Sequence, residues 1–195
     1  MLLGHTLLGS GPSLVVVMHE WLGDCSNYDA LQPYLDTAAH RFCFVDLRGY
    51  GRSIGLTGSH TLDEACQDVL ALLDTLQAPR FHVIGHSMSA LVAQRLACLE
   101  PTRVQSLIAI TPVFASGFPA DPATRAQLRA VATEDEAALA AIDARTGHRH
   151  TLPWLAFKLQ KSRQRSTAEA RIGYLQMFTG TDFQQEAQGL ATPML

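Results

Sequence analysis

The segment Gly85-His86-Ser87-Met88-Ser89 decides the fold of this chain, because it marks a sharp turn from a strand into a helix. The apolar run Phe81 to Ile84 precedes it, and apolar residues at three- and four-residue spacing follow it. A serine at the apex of such a turn is held in a strained backbone conformation, so the residues two positions away on each side must be small. Gly85 and Ser89 meet that need. We interpret Ser87 as a serine presented by a strand-turn-helix unit.

Two further motifs follow apolar runs in the same way. The run Ser13 to Met18 is rich in valine, which is typical of a strand buried on both faces of a parallel sheet, and His19-Glu20-Trp21-Leu22-Gly23-Asp24 follows it directly. The run Phe42 to Val45 leads into Asp46-Leu47-Arg48-Gly49-Tyr50-Gly51-Arg52-Ser53, whose two glycines let the backbone turn sharply. Three motifs therefore stand at the ends of predicted strands.

Together these motifs resemble those of the α/β-hydrolase superfamily, of the type with a serine nucleophile elbow and a helical cap. The segment around Ser87 resembles the elbow, the loop after Met18 resembles the His-Gly-x oxyanion loop, and the third motif resembles the Asp-x-Arg-Gly-x-Gly-x-Ser loop. The resemblance implies an α/β fold with a mostly parallel sheet flanked by helices, and a helical cap insertion. Glu20 departs from the pattern, because the family usually has glycine there.

The resemblance also implies roles for these residues. Ser87 is the expected nucleophile, and the backbone N–H groups of Trp21 and Met88 are the expected oxyanion donors. The residues expected to support the motifs are His19, Gly85, His86, Ser89, Asp46 and Arg48, with the His86 side chain turned away from the serine. The residues that are candidates to line the pocket are Glu20, Cys25, Trp154, Phe157, Tyr174 and Phe178. The alternative interpretation of Glu20 is an exposed glutamate on a turn, outside the pocket.

Composition fits one globular domain. Of the 195 residues, 47% are apolar and 17% are charged, and the formal net charge of −3 gives no electrostatic reason to expect nucleic acid. The N-terminus has neither a basic region nor a long apolar stretch, so we expect a cytoplasmic protein with no membrane segment. The four cysteines have no Cys-x-x-Cys spacing, and we expect reduced thiols. The hydrolase interpretation implies a small-molecule substrate and no metal or organic cofactor; the oligomeric state stays open.

The order of elements divides the chain into three parts. Residues 1–111 alternate strands and helices, which is the pattern of a parallel α/β core. Residues 112–187 contain successive helical patterns without a strand, and by the resemblance they are the cap. Residues 188–195 resemble the entry into the next core strand.

Start signals predict the individual helices. Thr61, Thr133 and Ser166 each have a glutamate three residues later, which is the pattern of a capping box. Asp121 precedes a proline and is a predicted N-cap, and Pro153 is predicted to open a further helix. The segment Tyr28 to Asp36 suits a short helix.

The serine lacks visible catalytic partners. In this fold the acid and the histidine follow the serine in chain order, so we expect them beyond Leu195, with the C-terminal part of the core missing. A serine without a base is a weak nucleophile, and the chain is therefore expected to be catalytically incomplete, with the strand Val104 to Ile110 poorly covered. Weaker candidates for partners inside the chain are His82, His86, His148, His150 and Asp121.

Three functions remain open at this point. The first is a serine hydrolase of a small ester, thioester, lactone or related acyl substrate. The second is a cofactor-free dioxygenase of heteroaromatic substrates on the same scaffold, with which the His-x-Trp sequence at His19 to Trp21 is compatible. The third is a degenerate binding module that has the pocket but no turnover.

Overall fold

A sheet of five strands forms the centre of the computed structural model, which describes residues 2–195. The strands are β1 (His5–Leu8), β2 (Ser13–Met18), β3 (His40–Val45), β4 (Phe81–His86) and β5 (Val104–Ile110). Their order across the sheet is β1-β3-β2-β4-β5. Every neighbouring pair is parallel except β1 and β3, which are antiparallel. The predicted α/β fold with a mostly parallel sheet is therefore confirmed.

The central strands are buried on both faces, which explains their continuous apolar sequences. Successive side chains of a strand point to opposite faces of the sheet. In β2, Val16 and Met18 belong to the main core, whereas Val15 and Val17 pack in a second cluster with Phe44. Because neither face of β2 meets water, no polar residue alternates with the valines.

Helices cover the sheet and also form a separate succession after β5. The helices are α1 (Leu62–Thr75), α2 (Met88–Leu99), α3 (Pro122–Thr133), α4 (Asp135–Arg145), α5 (Leu152–Arg165), α6 (Ala168–Gly180) and α7 (Gln184–Ala187). From α3 to α7 the described chain forms no strand, as the sequence predicts. Helix α3 packs against α4 and α6, and α4 packs against α5. Within residues 2–195, each helix is too short or too polar to cross a bilayer.

Two parts of the first forty residues differ from the prediction. Strand β1 was not predicted, because it has only four residues and lies at the sheet edge, half exposed. The helix predicted over Tyr28 to Asp36 is wrong: two 3₁₀ turns occupy this region, at Cys25–Tyr28 and Gln32–Tyr34. Pro33 lacks the N–H that a continuous helix would need, so the segment breaks into short turns.

The outer edge of β5 is covered only in part: residues 193–195 pair with its middle, whereas Gln105 and Ile110 are exposed, as poor cover of this strand predicts. The Leu107 N–H donates to the Pro193 carbonyl (2.9 Å), and the Leu195 N–H donates to the Leu107 carbonyl (3.0 Å). The Ala109 N–H in turn donates to the carbonyl of Leu195 (2.8 Å). The last described residues therefore run parallel beside β5 over a short distance.

Two of the predicted helix caps form as expected. The Thr61 hydroxyl accepts from the Glu64 N–H (3.2 Å) at the start of α1, and Asp121 accepts from the Thr124 N–H (2.7 Å) at the start of α3. The Glu64 carboxylate in turn accepts from the His60 N–H (2.6 Å), one residue before the cap. Both ends of the α1 box are therefore engaged.

The other two predicted caps are wrong by one residue. Thr133 is the last residue of α3, where its hydroxyl donates to the Arg129 carbonyl (3.0 Å), and Glu134 is the N-cap of α4. Thr167, not Ser166, caps α6 by accepting from the Ala170 N–H (3.0 Å). Ser166 and Thr167 are adjacent hydroxyl residues with similar capping chemistry, so the sequence pattern does not separate them, whereas α4 begins at Glu134 without a side-chain cap bond.

Replacing Thr61 with alanine should lower the free energy of unfolding by about 1 kcal/mol, because the Glu64 N–H loses its acceptor. The expected fall in melting temperature is about 2–4 °C, measured by circular dichroism on the whole protein. Thr75→Ala is the matched control, since the Thr75 hydroxyl donates to the Ala71 carbonyl at the other end of the same helix and caps nothing. Equal losses in the two variants would contradict the capping role.

Candidate active site

Ser87 occupies a strained turn between β4 and α2. Its backbone angles are φ 54° and ψ −113°, in a region that favours glycine. Three backbone hydrogen bonds hold it there: its N–H donates to the Ile110 carbonyl (2.9 Å), and its carbonyl accepts from the N–H groups of Ala90 (3.0 Å) and Val113 (3.1 Å). The surrounding chain therefore fixes the serine in place.

The small residues on each side of Ser87 are required by packing. A Cβ on Gly85 would lie 2.4 Å from the carbonyl oxygen of Ser89 and 2.6 Å from the Cα of Ala90, both of which are backbone atoms. Ser89 is completely buried, and its hydroxyl donates to the carbonyl of His19. This bond joins the start of α2 to the loop after β2.

The side chains of His19 and Tyr50 hold the loop after β2 in place. His19 Nδ1 lies 2.8 Å from the Glu20 carbonyl, and its Nε2 accepts from the Leu47 N–H (3.1 Å), so the bonds require the neutral tautomer with hydrogen on Nδ1. The Tyr50 ring packs 4.7 Å from the His19 ring, and its hydroxyl donates to the Trp21 carbonyl (2.8 Å). With both carbonyls bonded, the orientation of the peptide planes in this loop is set.

Two backbone N–H groups near Ser87 have no acceptor within residues 2–195. Met88 is the first residue of α2, where N–H groups have no partner inside the helix, and its N–H forms no other recorded bond in the described chain. The same holds for the N–H of Trp21, whose indole N–H instead donates to the Arg171 carbonyl (2.8 Å). These are the two groups that the resemblance to the α/β-hydrolase superfamily implies as oxyanion donors.

The side chains of Asp46 and Arg48 are engaged in hydrogen bonds that hold the loop after β3. The Asp46 carboxylate is buried and accepts from the N–H groups of Cys25 (2.8 Å) and Arg52 (2.9 Å). Arg48 forms two bonds to Asp68, of 2.6 and 2.9 Å. Neither side chain lines the cavity at Ser87.

A cavity of about 520 Å³ opens at Ser87. The predicted residues that line it are Glu20, Trp21, His86, Ser87 and Phe178. Its wall is mostly apolar, with a few polar groups, which is typical of a small-molecule site. Among residues 2–195, no three His, Cys, Asp or Glu side chains come close enough together to hold a metal ion.

The other four pocket candidates do not line the cavity, and the contacts or the exposure of each side chain explain why. Cys25 packs beside Asp46, and burial followed by the Asp46 charge raises the pKa of its thiol to about 12. Tyr174 is buried in the core against Tyr50. Trp154 stacks on the ring of His150 at 3.7 Å, and Phe157 is 58% exposed on α5.

His86 lines the cavity, but its side chain lies beside Glu20 and forms no hydrogen bond to Ser87 within residues 2–195. His86 Nδ1 lies 3.8 Å from Oε2 of Glu20. Burial lowers the pKa of His86, and the Glu20 charge opposes that shift, so the imidazole is mainly neutral at pH 7. Glu20 is thus a carboxylate at the cavity and not an exposed turn residue.

None of the weaker candidates forms a hydrogen bond to Ser87 in the described part of the chain. His148 is exposed and bonds Asp143 at 2.7 Å. His82 bonds Ser106 at 2.7 Å on the sheet. The remaining candidates are engaged elsewhere, His150 against Trp154 and Asp121 at the start of α3.

Six lining residues were not found from the sequence: Thr111, Pro112, Val113, Phe118, Leu128 and Arg145. Leu128 lies on α3 and Arg145 ends α4, so both reach the cavity through the packing of the helices after β5. No local motif marks such residues. The guanidinium carbon of Arg145 lies 5.9 Å from the centre of the Trp21 ring.

Curated relatives match part of the chain. The acetyltransferase component (dihydrolipoyllysine-residue) of an acetoin cleaving system of Pseudomonas putida is 39% identical over 99 residues, which is 51% of this chain and 26% of that protein. The pimeloyl-[acyl-carrier protein] methyl ester esterase of Klebsiella pneumoniae is 37% identical over 113 residues, which is 56% of this chain and 41% of that protein. The chain thus spans less than half the length of these two relatives.

A solved structure and a family model match nearly the whole chain. The enol-lactonase of Burkholderia xenovorans superposes with a TM-score of 0.82 at 22% identity, covering 98% of this chain and 75% of that one. The model of the alpha/beta hydrolase fold family matches residues 3–190. The matched range includes all five strands of the sheet and the turn at Ser87. The chain therefore belongs to the α/β-hydrolase fold family.

Proposed function

We propose that the protein is a serine hydrolase of small ester, thioester, lactone or related acyl substrates. One observation carries the proposal: Ser87 lines a cavity of about 520 Å³ from a strained turn, with the unengaged N–H groups of Trp21 and Met88 nearby. An exposed serine needs no such turn, whereas a nucleophile beside an oxyanion site does. An esterase and an enol-lactonase among the similar proteins are in line with this chemistry.

In the proposed reaction, Ser87 Oγ forms a bond to the acyl carbon, and the carbonyl oxygen becomes an oxyanion. The N–H groups of Trp21 and Met88 donate to that oxygen and stabilise its charge. The oxyanion then collapses with loss of the alcohol, thiol or ring oxygen, which takes up a proton. Water attacks the acyl-enzyme in the same way and releases the acid together with free Ser87.

The proton of the Ser87 hydroxyl needs a base, and within residues 2–195 no side chain accepts a hydrogen bond from it. His86 lines the same cavity, but its nearest charged neighbour is Glu20 at 3.8 Å. We propose that a histidine and an acid from a part of the protein outside residues 1–195 take up this proton. The 195 residues alone are then catalytically incomplete.

The helical succession after β5 is proposed to act as a cap over the nucleophile. Phe118, Leu128 and Phe178 give the cavity an apolar roof from this part of the chain. In this proposal residues 1–111 are the first part of the core, residues 112–187 are the cap, and residues 188–195 return to the core.

A fluorophosphonate probe tests the serine mechanism on the whole protein. Such probes form a bond to an activated serine, so we expect one adduct per molecule by intact mass, located at Ser87 by peptide mapping. Ser87→Ala should remove the adduct. Ser116→Ala is the matched control, because Ser116 is exposed and does not line the cavity, and it should keep the adduct.

The alternatives give different results with the same probe. A protein that takes no label but cleaves a heteroaromatic substrate with dioxygen would be the cofactor-free dioxygenase. A protein that takes no label and turns over neither kind of substrate would be a binding module. Either result would contradict the serine hydrolase.

A further inference from the structure

The carboxylate of Glu20 is held rigidly at the cavity with one oxygen bonded and the other not. Oε1 accepts from the Asn27 amide (2.7 Å), and the amide oxygen of Asn27 accepts from Lys158 Nζ (3.1 Å). Oε2 is buried and has no hydrogen-bond partner within residues 2–195. The nearest charged or titratable partner, His86 Nδ1, lies 3.8 Å away, which is too far for a hydrogen bond.

A buried acceptor without a partner favours any ligand that brings a donor to it. Leaving a carboxylate oxygen unbonded costs free energy, and a donor on the ligand recovers it, whereas an analogue without the donor does not. Sites of this kind discriminate strongly against the analogue that lacks the donor. Glu20 is therefore suited to select among ligands that enter the cavity.

The chain position of Glu20 says which part of the ligand it meets. Glu20 directly precedes Trp21, whose N–H is a proposed oxyanion donor, and it lines the same cavity as Ser87. The donor to Oε2 is therefore assigned to the part of the ligand near Trp21 and Ser87, and not to the distant end of a long acyl chain.

The charges around the cavity say what kind of donor fits. An ammonium group would be attracted to Glu20 itself, but Arg145 on the same wall and Lys158 behind Asn27 already supply positive charge to this carboxylate and would repel a further cation. A carboxylate on the ligand would meet the negative charge of Glu20 and offer no donor. A neutral hydroxyl group satisfies Oε2 without either repulsion.

We propose that Glu20 is a specificity-determining residue that selects acyl substrates with a hydroxyl group near the reacting carbonyl. The hydroxyl donates to Oε2 while Oε1 stays bonded to Asn27. The reaction of such a substrate rests on the proposed function, but its binding preference does not.

The turnover test compares methyl 2-hydroxybutyrate and methyl 3-hydroxybutyrate with methyl butyrate on the whole protein. We expect kcat/KM for the better hydroxy ester to exceed that for methyl butyrate at least about tenfold. In Glu20→Met the ratio should fall to about one. Glu134→Met is the control, because Glu134 is exposed and outside the cavity lining, and it should keep the preference.

The binding test needs no turnover. The ketones 3-hydroxypentan-2-one, 4-hydroxypentan-2-one and pentan-2-one have the shapes of the three esters, and their Kd values are measured by NMR titration of the wild-type protein. Tighter binding of a hydroxy ketone, at least about tenfold, supports the inference even if no ester is hydrolysed, in which case the proposed function alone fails. Equal Kd values overturn the inference even if all three esters are hydrolysed.

Discussion

Replacing Ser87 with alanine should lower kcat/KM for a small ester by a factor of about 10³ or more in the whole protein. The loss is this large because, in the proposed reaction, Oγ of Ser87 forms the bond to the acyl carbon. The melting temperature should stay nearly unchanged. Alanine and serine both carry a Cβ at φ 54°, so the backbone strain is the same, and the Ser87 hydroxyl forms no recorded bond in the described chain.

The measurement is ester hydrolysis followed by proton release, with thermal unfolding in parallel. Ser116→Ala serves again as the control and should keep full turnover, since Ser116 is exposed away from the cavity lining. Undiminished hydrolysis by Ser87→Ala would mean that the nucleophile is another residue.

Replacing Gly85 with alanine should lower the free energy of unfolding by about 2–3 kcal/mol, since the new methyl group meets atoms that cannot give way. Its Cβ would lie 2.4 Å from the Ser89 carbonyl oxygen and 2.6 Å from the Ala90 Cα, both in the backbone of α2. The melting temperature should fall by roughly 4–12 °C. Turnover of esters should fall as well, because α2 must shift and Ser87 directly precedes that helix.

Gly180→Ala is the matched control for this change. An added Cβ at Gly180 has no atom within 4 Å, and Gly180 ends α6. The substitution should leave stability unchanged or raise it slightly, because alanine restricts the unfolded chain more than glycine does. Similar losses in the two variants would contradict the close packing described for the turn at Ser87.

Most of the sheet could be predicted from sequence because its strands are buried on both faces. A strand such as β2 must be apolar throughout, and its valine run is therefore visible without any tertiary information. Strand β1 has no such apolar run, since its four residues lie half exposed at the sheet edge. The wrong helix at Tyr28 to Asp36 shows the opposite error, in which helical spacing outweighed the effect of Pro33.

The residues of the candidate site also fall into two groups, those that the sequence predicts and those that it does not. Ser87, Trp21 and Met88 belong to local motifs whose backbone geometry follows from short-range sequence, so their placement was predictable. Arg145 reaches the cavity only through the packing of α4 over the core, and no spacing rule relates it to Ser87. His86, whose side chain is expected to turn away from Ser87, lies beside Glu20 in the same cavity, a placement that no local pattern predicts.

The crystal structure of the whole protein after reaction with a methyl phosphonate probe tests the central claim most directly. We predict a bond from Ser87 Oγ to phosphorus, with the phosphoryl oxygen 2.7–3.1 Å from the backbone nitrogens of both Trp21 and Met88. A phosphonyl group attached to any other residue would contradict the nucleophile. A phosphoryl oxygen on Ser87 that points away from both nitrogens would contradict the oxyanion site.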